Sequence, residues 1–262
     1  MSWEDIIDLN AIKREQYIFK NNLNLPDAIP MVIKQDMEIF NEVDKTIRNN
    51  LENTDFVKQL EVYRNFKPGF LVNKGIIYTD SNIYNRVPIL KYSSLSKTDN
   101  TIMDNRFLLP IRLPNGKIFT YMGYSTGTLN RYIMPKVKDM QMYNYVNQGC
   151  LFGNVESIKR DSEVYFAEGF FDAYRIESEM NKPGVALLGS KLTDTKIRML
   201  KKLKESLNLT YIYTPDFDEN KAGTSEFLIN NPIWDRLFNY NEGKDKTYKD
   251  IDQYYRMIRK YY

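Results

Sequence analysis

Acidic residues in three regularly spaced pairs stand out in the second half of the sequence. Carboxylates gathered at one place repel one another unless a cation neutralises them, and hard oxygen ligands select Mg²⁺ or Mn²⁺. Such a cation typically handles the phosphates of nucleotides. The pairs are a Glu-Gly-x-x-Asp motif, an Asp-x-Asp motif followed by a glycine, and a second Asp-x-Asp motif: Glu168 and Asp172, Asp216 and Asp218 with Gly223, and Asp250 and Asp252.

The segments around these acids alternate between strand and helix patterns. Strands are predicted at 164–167, 184–188 and 210–214, helices at 170–180, 193–207 and 222–229, then a fourth short strand near 233–238 and a last helix at 251–259. This alternation predicts right-handed crossovers and a parallel sheet covered by helices. Ligands of such sheets bind at the carboxyl ends of the strands, where the first two acidic motifs fall. Each motif alone is common on helices or in loops, so the prediction depends on their conjunction.

A basic segment precedes the acidic one. Residues 107–122 predict two strands joined at Pro114-Asn115-Gly116, since Asn-Gly between apolar runs favours a hairpin. A basic segment beside an acidic one suits a polyanion bound by cationic side chains and by metal, although both are also compatible with ordinary solvated faces. Phe107, Phe119, Tyr121 and Tyr132 are candidates either for base stacking or for the hairpin core. Residues 105–138 hold no acid and six basic residues: Arg106, Arg112, Lys117, Arg131, Lys136 and Lys138.

The composition excludes several classes of chemistry. The 262 residues include no histidine and one cysteine, Cys150, which excludes a disulfide framework, histidine bases and the usual zinc sites. No run approaches the ~20 apolar residues of a membrane span, and the N-terminus lacks a signal-peptide pattern, so we expect a cytoplasmic protein without a membrane partner. Apolar residues predict helices at 36–51 and near 56–62, and residues 83–103 are polar enough for a loop.

Several of these segments resemble the Toprim domain shared by bacterial-type primases, topoisomerases and some nucleases. The preceding residues are similar, in order and spacing, to the basic subdomain of the bacterial replicative primase, which topoisomerases and Toprim nucleases lack. The resemblance covers about residues 104–255. The Toprim-like segments are Val164-Tyr-Phe-Ala-Glu-Gly-Phe-Phe-Asp172, Val185-Ala-Leu-Leu-Gly189 and Tyr211-Ile-Tyr-Thr-Pro-Asp-Phe-Asp218. The upstream segments are Asn105-Arg-Phe-Leu-Leu-Pro-Ile-Arg112, Asn115-Gly-Lys-Ile118, Gly123, Arg131-Tyr-Ile133 and Leu151-Phe-Gly153.

This resemblance implies an α/β fold, with a Toprim-type parallel sheet and flanking helices preceded by a mixed α+β basic subdomain. The implied divisions are a mostly helical region at 1–100 that partly belongs to the basic subdomain, a basic antiparallel subdomain at 101–160 and the Toprim domain at 161–262. The implied activity is that of a DNA primase, a DNA-directed RNA polymerase. It would make short RNA primers on single-stranded DNA from ribonucleoside triphosphates by nucleotidyl transfer, with Mg²⁺ or Mn²⁺ and no zinc.

Roles carry over by position. The catalytic residues would be Glu168, Asp172, Asp216 and Asp218. The metal ligands would be Glu168, Asp216, Asp218, Asp250 and Asp252. Contacts to template or nucleotide would come from Arg106, Lys117, Arg131 and Lys136.

Two positions depart from the family pattern. Tyr124 stands where the family has an arginine, and Asn147 where it has a lysine. A Toprim-type metal-dependent nuclease and a catalytically degenerate, primase-like nucleic-acid-binding protein therefore stay open as alternatives. A replicative helicase is a candidate partner. Abundant Asn, Lys, Ile and Tyr would suit a phage protein that acts in the cytoplasm of a bacterial host.

Overall fold

The computed structural model describes Lys45 and residues 51–79, 105–112, 118–127, 131–133, 152–189, 192–217, 228–242 and 248–258. These residues fall into two compact units, one within residues 45–133 and the other within 152–258. No helix in these ranges is both long and apolar enough to cross a bilayer. The predicted boundaries at residues 100 and 160 stay a prediction.

The first unit combines two helices with an antiparallel sheet. The helices are α1 (Leu51–Arg64) and α2 (Phe70–Asn73). The sheet has the order β1-β2-β3-β4, with β1 at Ile77–Thr79, β2 at Arg106–Arg112, β3 at Ile118–Tyr124 and β4 at Tyr132–Ile133. The pairing of β2 with β3 confirms the predicted hairpin, and α1 contains the helix predicted near residues 56–62.

Two side chains of α1 bind main-chain groups of the segment that follows. Glu61, 2% exposed, accepts hydrogen bonds from the main-chain N–H groups of Gly69 at 2.8 Å, Leu71 at 2.7 Å and Val72 at 3.1 Å. The carboxylate thus occupies the N-terminal end of α2, where N–H groups have no partner within the helix. Asn53 binds both main-chain groups of Tyr78 on the edge strand β1, accepting from its N–H at 3.1 Å and donating to its carbonyl.

The second unit is a parallel sheet with helices on both faces. The sheet has the order β6-β5-β7-β8, and all of its pairings are parallel. Its strands are β5 (Glu163–Ala167), β6 (Gly184–Ala186), β7 (Thr210–Tyr213) and β8 (Arg236–Leu237), and its helices are α3 (Phe170–Arg175), α4 (Asp194–Leu207) and α5 (Ile251–Ile258). A π-helical turn, Ile176–Met180, continues α3.

Both faces of the parallel sheet are buried. Phe166 of β5 packs in one apolar cluster with Tyr211 and Trp234, whereas its neighbours Tyr165 and Ala167 pack in a second cluster on the other face. This is the pattern expected of a parallel sheet covered on both sides. Local signals fix the ends of α4, because the Thr193 hydroxyl accepts from the Lys196 N–H at 3.3 Å and Asn208 adopts a left-handed conformation at φ 51°.

The structure confirms the predicted α/β class, with a helix-flanked parallel sheet preceded by an antiparallel one. The strands and helices predicted between residues 163 and 214 are present, as are the fourth strand and the last helix. Some predictions lie outside the described residues: most of the helix at 36–51, the loop at 83–103, the hairpin turn at 114–116 and most of the helix at 222–229.

Candidate metal and nucleotide site

The first acidic motif lies at the carboxyl end of β5. Glu168 follows the strand directly, and its main-chain carbonyl accepts from the Leu188 N–H at 3.1 Å, which ties it to the end of β6. Asp172 lies in the first turn of α3. Gly169 precedes that helix at φ −112°, which any residue can adopt, but a Cβ atom there would lie 2.8 Å from Oδ2 of Asp172. The glycine is therefore needed for space around the carboxylate.

Asp216 lies beside the end of β7, and its loop is tied to the loop that carries Asp250. The buried Tyr240 hydroxyl lies 2.9 Å from the carbonyl oxygen of Pro215 and 3.0 Å from that of Lys249. These carbonyls immediately precede Asp216 and Asp250 in the chain. One tyrosine thereby holds together the two loops that carry the second and third acidic motifs.

The third acidic pair lies at the N-terminus of α5. Asp250 caps this helix, because its Oδ1 accepts from the Gln253 N–H at 2.7 Å. Asp252 is 4% exposed, and its main-chain N–H donates to Oδ1 of Asp172 at 3.2 Å. Its carboxylate binds the buried guanidinium group of Arg175. The structure therefore brings the first and third pairs into direct contact.

Electrostatics show how closely the acids gather. Burial raises the pKa of Asp172 well above its usual range, and the nearby charges of Asp250, Asp216 and Asp252 raise it further. The hydrogen bond from the Asp252 main-chain N–H acts in the opposite direction and lowers this pKa. Burial likewise raises the pKa of Tyr240, and Asp216, Asp250 and Asp172 add to this increase. The negative charges of all three motifs thus act on the same small region.

This donor set fits a hard divalent cation. The groups are carboxylates, they crowd one edge of a parallel sheet, and their mutual repulsion is what a bound cation would relieve. Glu168, Asp216 and Asp250 are the described residues that would hold it. Within the described ranges, no three acidic side chains lie close enough together to hold a metal ion as they stand. The predicted ligand Asp218 lies outside these ranges.

Two of the basic residues predicted to contact template or nucleotide, Arg106 and Arg131, are aligned across strands of the antiparallel sheet. Phe107 pairs with Tyr124, and Tyr124 pairs with Tyr132. The next position along each strand therefore places Arg106 and Arg131 in one row, two strands apart, with main chains about 10 Å from each other. Arg131 is exposed and Arg106 is half-buried. Lys117, Lys136 and Asn147 lie outside the described residues.

An aromatic row occupies the opposite face of these strands. Ring centroids are 5.0 Å apart between Tyr78 and Phe107, 6.5 Å between Phe107 and Tyr124, and 5.2 Å between Tyr124 and Tyr132. Tyr124, at the departure from the family pattern, is buried with the Arg64 guanidinium 5.1 Å from its ring centroid. Of the candidates for base stacking, Tyr121 is fully buried, whereas Tyr132 is 40% exposed.

Sequence reasoning missed two residues of the acidic region. Arg175 had a signal, since it is the only basic residue among six acids between 161 and 180. A lone cation one helical turn after Asp172 could have been expected to pair with an acid. Tyr240 had none, because its partners are main-chain carbonyls 25 and 9 residues away, which no local pattern reveals.

Comparison with known proteins identifies the fold. No protein-family model matches the chain. A DNA primase of Helicobacter pylori is 22% identical over 239 residues, which cover 85% of this chain and 41% of that protein. The chain therefore spans about two fifths of the length of this relative.

Solved structures give the same result. The RNA polymerase domain of Mycobacterium tuberculosis primase DnaG matches with a TM-score of 0.60 at 14% identity, covering 84% of this chain and 78% of that one. A DnaG primase catalytic domain bound to single-stranded DNA matches with a TM-score of 0.59 at 13% identity, covering 87% and 74%. The chain resembles DNA primases in sequence, and it has the fold of a primase catalytic core.

Proposed function

We propose that this chain is a DNA primase that synthesises short RNA primers on single-stranded DNA by metal-dependent nucleotidyl transfer. The observation that carries the proposal is the convergence of acids at one edge of the parallel sheet, in a chain with the fold of primase catalytic cores. Besides burial, Asp250 and Asp216 raise the pKa of Asp172, and Glu168, Asp216 and Asp172 together raise the pKa of Tyr213. The ssDNA-bound neighbour supports a nucleic-acid template as the partner. Ribonucleoside triphosphates would be the substrates and a replicative helicase a candidate partner, in the cytoplasm of a bacterial host.

The acids would hold Mg²⁺ or Mn²⁺ through Glu168, Asp216 and Asp250, with Asp218 completing the set. A cation bound there would lower the pKa of the attacking 3′-hydroxyl and neutralise charge on the triphosphate. The protein's own part is to position the groups. Burial raises the pKa of Asp172, and its Oδ1 accepts from the Asp252 N–H, so this residue is suited to position the start of α5, which carries Asp250. Zinc has no role in this proposal.

The first unit would contribute the anion contacts. Arg106 and Arg131 share one face of the antiparallel sheet, and Lys117 and Lys136 belong to the same basic segment. Guanidinium groups bind phosphate in a bidentate manner, which favours arginine for contacts to a template backbone or an incoming triphosphate. Such contacts neutralise phosphate charge, so we expect template affinity to fall steeply with salt.

The decisive experiment offers the chain single-stranded DNA, labelled ribonucleoside triphosphates, and Mg²⁺ or Mn²⁺. Labelled oligoribonucleotides that depend on both template and metal are expected. Asp216→Asn and Glu168→Gln should each reduce synthesis about 100-fold or more, because each removes a charge from the metal edge.

The two alternatives predict other products. Shortened DNA without labelled RNA would identify a nuclease instead. Template binding with neither product would identify a degenerate binding protein. Wild-type synthesis by Asp216→Asn would contradict the proposed metal site.

A further inference from the structure

Asp252 is bound by a buried arginine. The Arg175 side chain is completely buried, and its Nε and Nη2 atoms donate to Oδ1 of Asp252 at 3.1 Å and 2.9 Å. A third donor of the same guanidinium group, Nη1, binds Oε1 of Glu179 at 3.4 Å. Two acids therefore surround one fixed positive charge.

The second oxygen of Asp252 also faces a cation. Its Oδ2 lies 3.9 Å from Nη1 of Arg256, one turn further along α5. The side chains joined by these ion pairs therefore alternate between negative and positive charge, in the order Glu179, Arg175, Asp252 and Arg256. A divalent ion at Oδ1 of Asp252 would have to displace the guanidinium group of Arg175, and an ion at Oδ2 would lie beside the positive charges of both arginines. That displacement would leave a buried positive charge with one partner fewer, which is energetically costly.

Asp252 acts on the other acids through its main chain. Its N–H donates to Oδ1 of Asp172, and the pair with Arg175 joins the start of α5 to the end of α3 across 77 residues. The first turn of α5 also carries Asp250 as the helix cap. An anchor at Asp252 therefore fixes the positions of both Asp172 and Asp250.

We infer that Asp252 is a positioning residue rather than a metal ligand, because its ion pair with the guanidinium group of Arg175 keeps its carboxylate from binding the metal. The divalent cation is left to Glu168, Asp216 and Asp250, together with Asp218. This inference rests on the proposed function, and it narrows the ligand set that the sequence predicts.

Binding of Mn²⁺ alone, followed by the electron paramagnetic resonance signal of the free ion, tests the inference without any turnover. Asp216→Asn, which removes a proposed ligand, should weaken Mn²⁺ binding about tenfold or more. Asp252→Asn keeps an oxygen acceptor for Arg175 and so keeps the anchor, and it should weaken Mn²⁺ binding by clearly less than the loss of about tenfold expected for removal of a ligand. A tenfold weakening by Asp252→Asn would overturn the inference.

The arginine provides the opposite test. Arg175→Met exposes the Asp252 charge to the cation region, so Mn²⁺ should bind more tightly, by about threefold or more, or in one additional equivalent. A purely structural role would lower the thermal midpoint without this gain. The double variant Arg175→Met with Asp252→Asn also removes the carboxylate that Arg175→Met exposes, so the gain in Mn²⁺ affinity should disappear. A gain that persists in a folded double variant would contradict the inference, because Asp252 could not then be its source. If Arg175→Met alone does not fold, the comparison of Asp252→Asn with Asp216→Asn remains the test.

The outcomes separate the inference from the proposed function. A wild-type chain that binds no Mn²⁺ and makes no primer contradicts both. Primer synthesis by wild type, combined with equal loss of Mn²⁺ affinity in Asp252→Asn and Asp216→Asn, contradicts only the inference.

Discussion

Gly169 and the carboxylate of Asp172 lie so close together that a Cβ atom on the glycine would be 2.8 Å from Oδ2 of Asp172. The main chain of Gly169 is extended, at φ −112° and ψ 163°, so backbone conformation does not require glycine there. The spacing of the Glu-Gly-x-x-Asp motif therefore reflects a contact between its second and fifth residues. The glycine sets where the Asp172 carboxylate can lie.

Gly169→Ala should therefore impair the site more than the fold. The added methyl group would push the Asp172 carboxylate away from the Asp252 N–H that now binds it. We expect primer synthesis to fall about tenfold or more, on the scale seen when supporting contacts of a metal site are removed. Steady-state primer synthesis measures the effect, and thermal unfolding checks the fold. Gly127→Ala is the matched control, since a Cβ atom there meets nothing within 4 Å. Equal activity of the two variants would contradict the prediction.

Tyr240→Phe should loosen the loops of Asp216 and Asp250. The substitution removes only the hydroxyl, whose single proton is shared between the carbonyl oxygens of Pro215 and Lys249, and it should cost about 1 kcal/mol of unfolding free energy. Tyr211→Phe loses a comparable buried bond to the Leu200 carbonyl, away from the acids. Both variants should lose similar stability in urea titrations, but only Tyr240→Phe should weaken Mn²⁺ binding. Unchanged Mn²⁺ affinity in Tyr240→Phe would show that the tie has no role in positioning.

Asp172→Asn should be more stable than wild type in the absence of metal, and the difference in stability should grow as the pH rises. Burial and the neighbouring carboxylates raise the pKa of Asp172 when the chain is folded, so the folded state retains its proton above the unfolded value of about 3.9. The contribution of this group to the free energy of unfolding is therefore greatest at low pH. It declines by at most about 1.4 kcal/mol per pH unit from this group, until the pH passes the folded pKa. Asparagine lacks this decline.

The pH prediction is checked by urea unfolding in a chelator between about pH 4 and pH 7. The stability difference between Asp172→Asn and wild type should be small at the acid end and should grow towards neutrality. Asp55→Asn, which removes an exposed carboxylate of α1, provides the control. A difference for Asp172→Asn that is constant with pH would rule out the raised pKa as its cause.

Tyr213→Phe should stabilise the protein. The Tyr213 side chain is fully buried, and within the described residues its hydroxyl has no hydrogen-bond partner. A buried polar group without a partner costs about 1–3 kcal/mol, so its removal should raise the unfolding free energy by about 1 kcal/mol. Urea titration provides the measurement. A loss of stability would mean that the hydroxyl has a partner beyond the described residues.

Glu61→Gln should destabilise the first unit. The carboxylate accepts three main-chain N–H groups, whereas an amide would present its own NH₂ group to one of them. We expect a loss of about 2 kcal/mol, because one buried N–H group is left without an acceptor. Faster amide hydrogen exchange at Leu71 and Val72 would locate the effect at α2. Exchange at wild-type rates would contradict the proposed capping role of Glu61.

The sequence predicted the second unit well because its signals are local. Short apolar runs bounded by Gly and Asn mark β5, β6 and β7, and the polar caps Thr193 and Asn208 mark the ends of α4. Parallel pairing then follows from the alternation of strand and helix. The convergence of Asp172 with Asp216 was predictable for the same reason, since the carboxyl ends of parallel strands meet at one edge. Asp250 does not directly follow a predicted strand, and only the family resemblance placed it at the site.

The contacts that define how the acids are held were not predictable. The lone positive charge of Arg175 could suggest an ion pair, but its partner Asp252 lies 77 positions away and has no local signal. Tyr240 binds main-chain carbonyls, which leave no pattern in the sequence. Strand β1 was missed for a related reason. Its three residues are too short for a period of two to be recognised, and its position depends on pairing with β2 and on the Asn53 amide.

The side-chain amide of Asn53 forms the two main-chain hydrogen bonds that a residue of a neighbouring strand would form with β1. It satisfies the outward-facing N–H and carbonyl of Tyr78, the central residue of edge strand β1. Unpaired edges invite another chain to add to the sheet, which leads to self-association and fibre formation. By pairing both groups, the Asn53 side chain leaves this position of β1 closed to a strand from another chain.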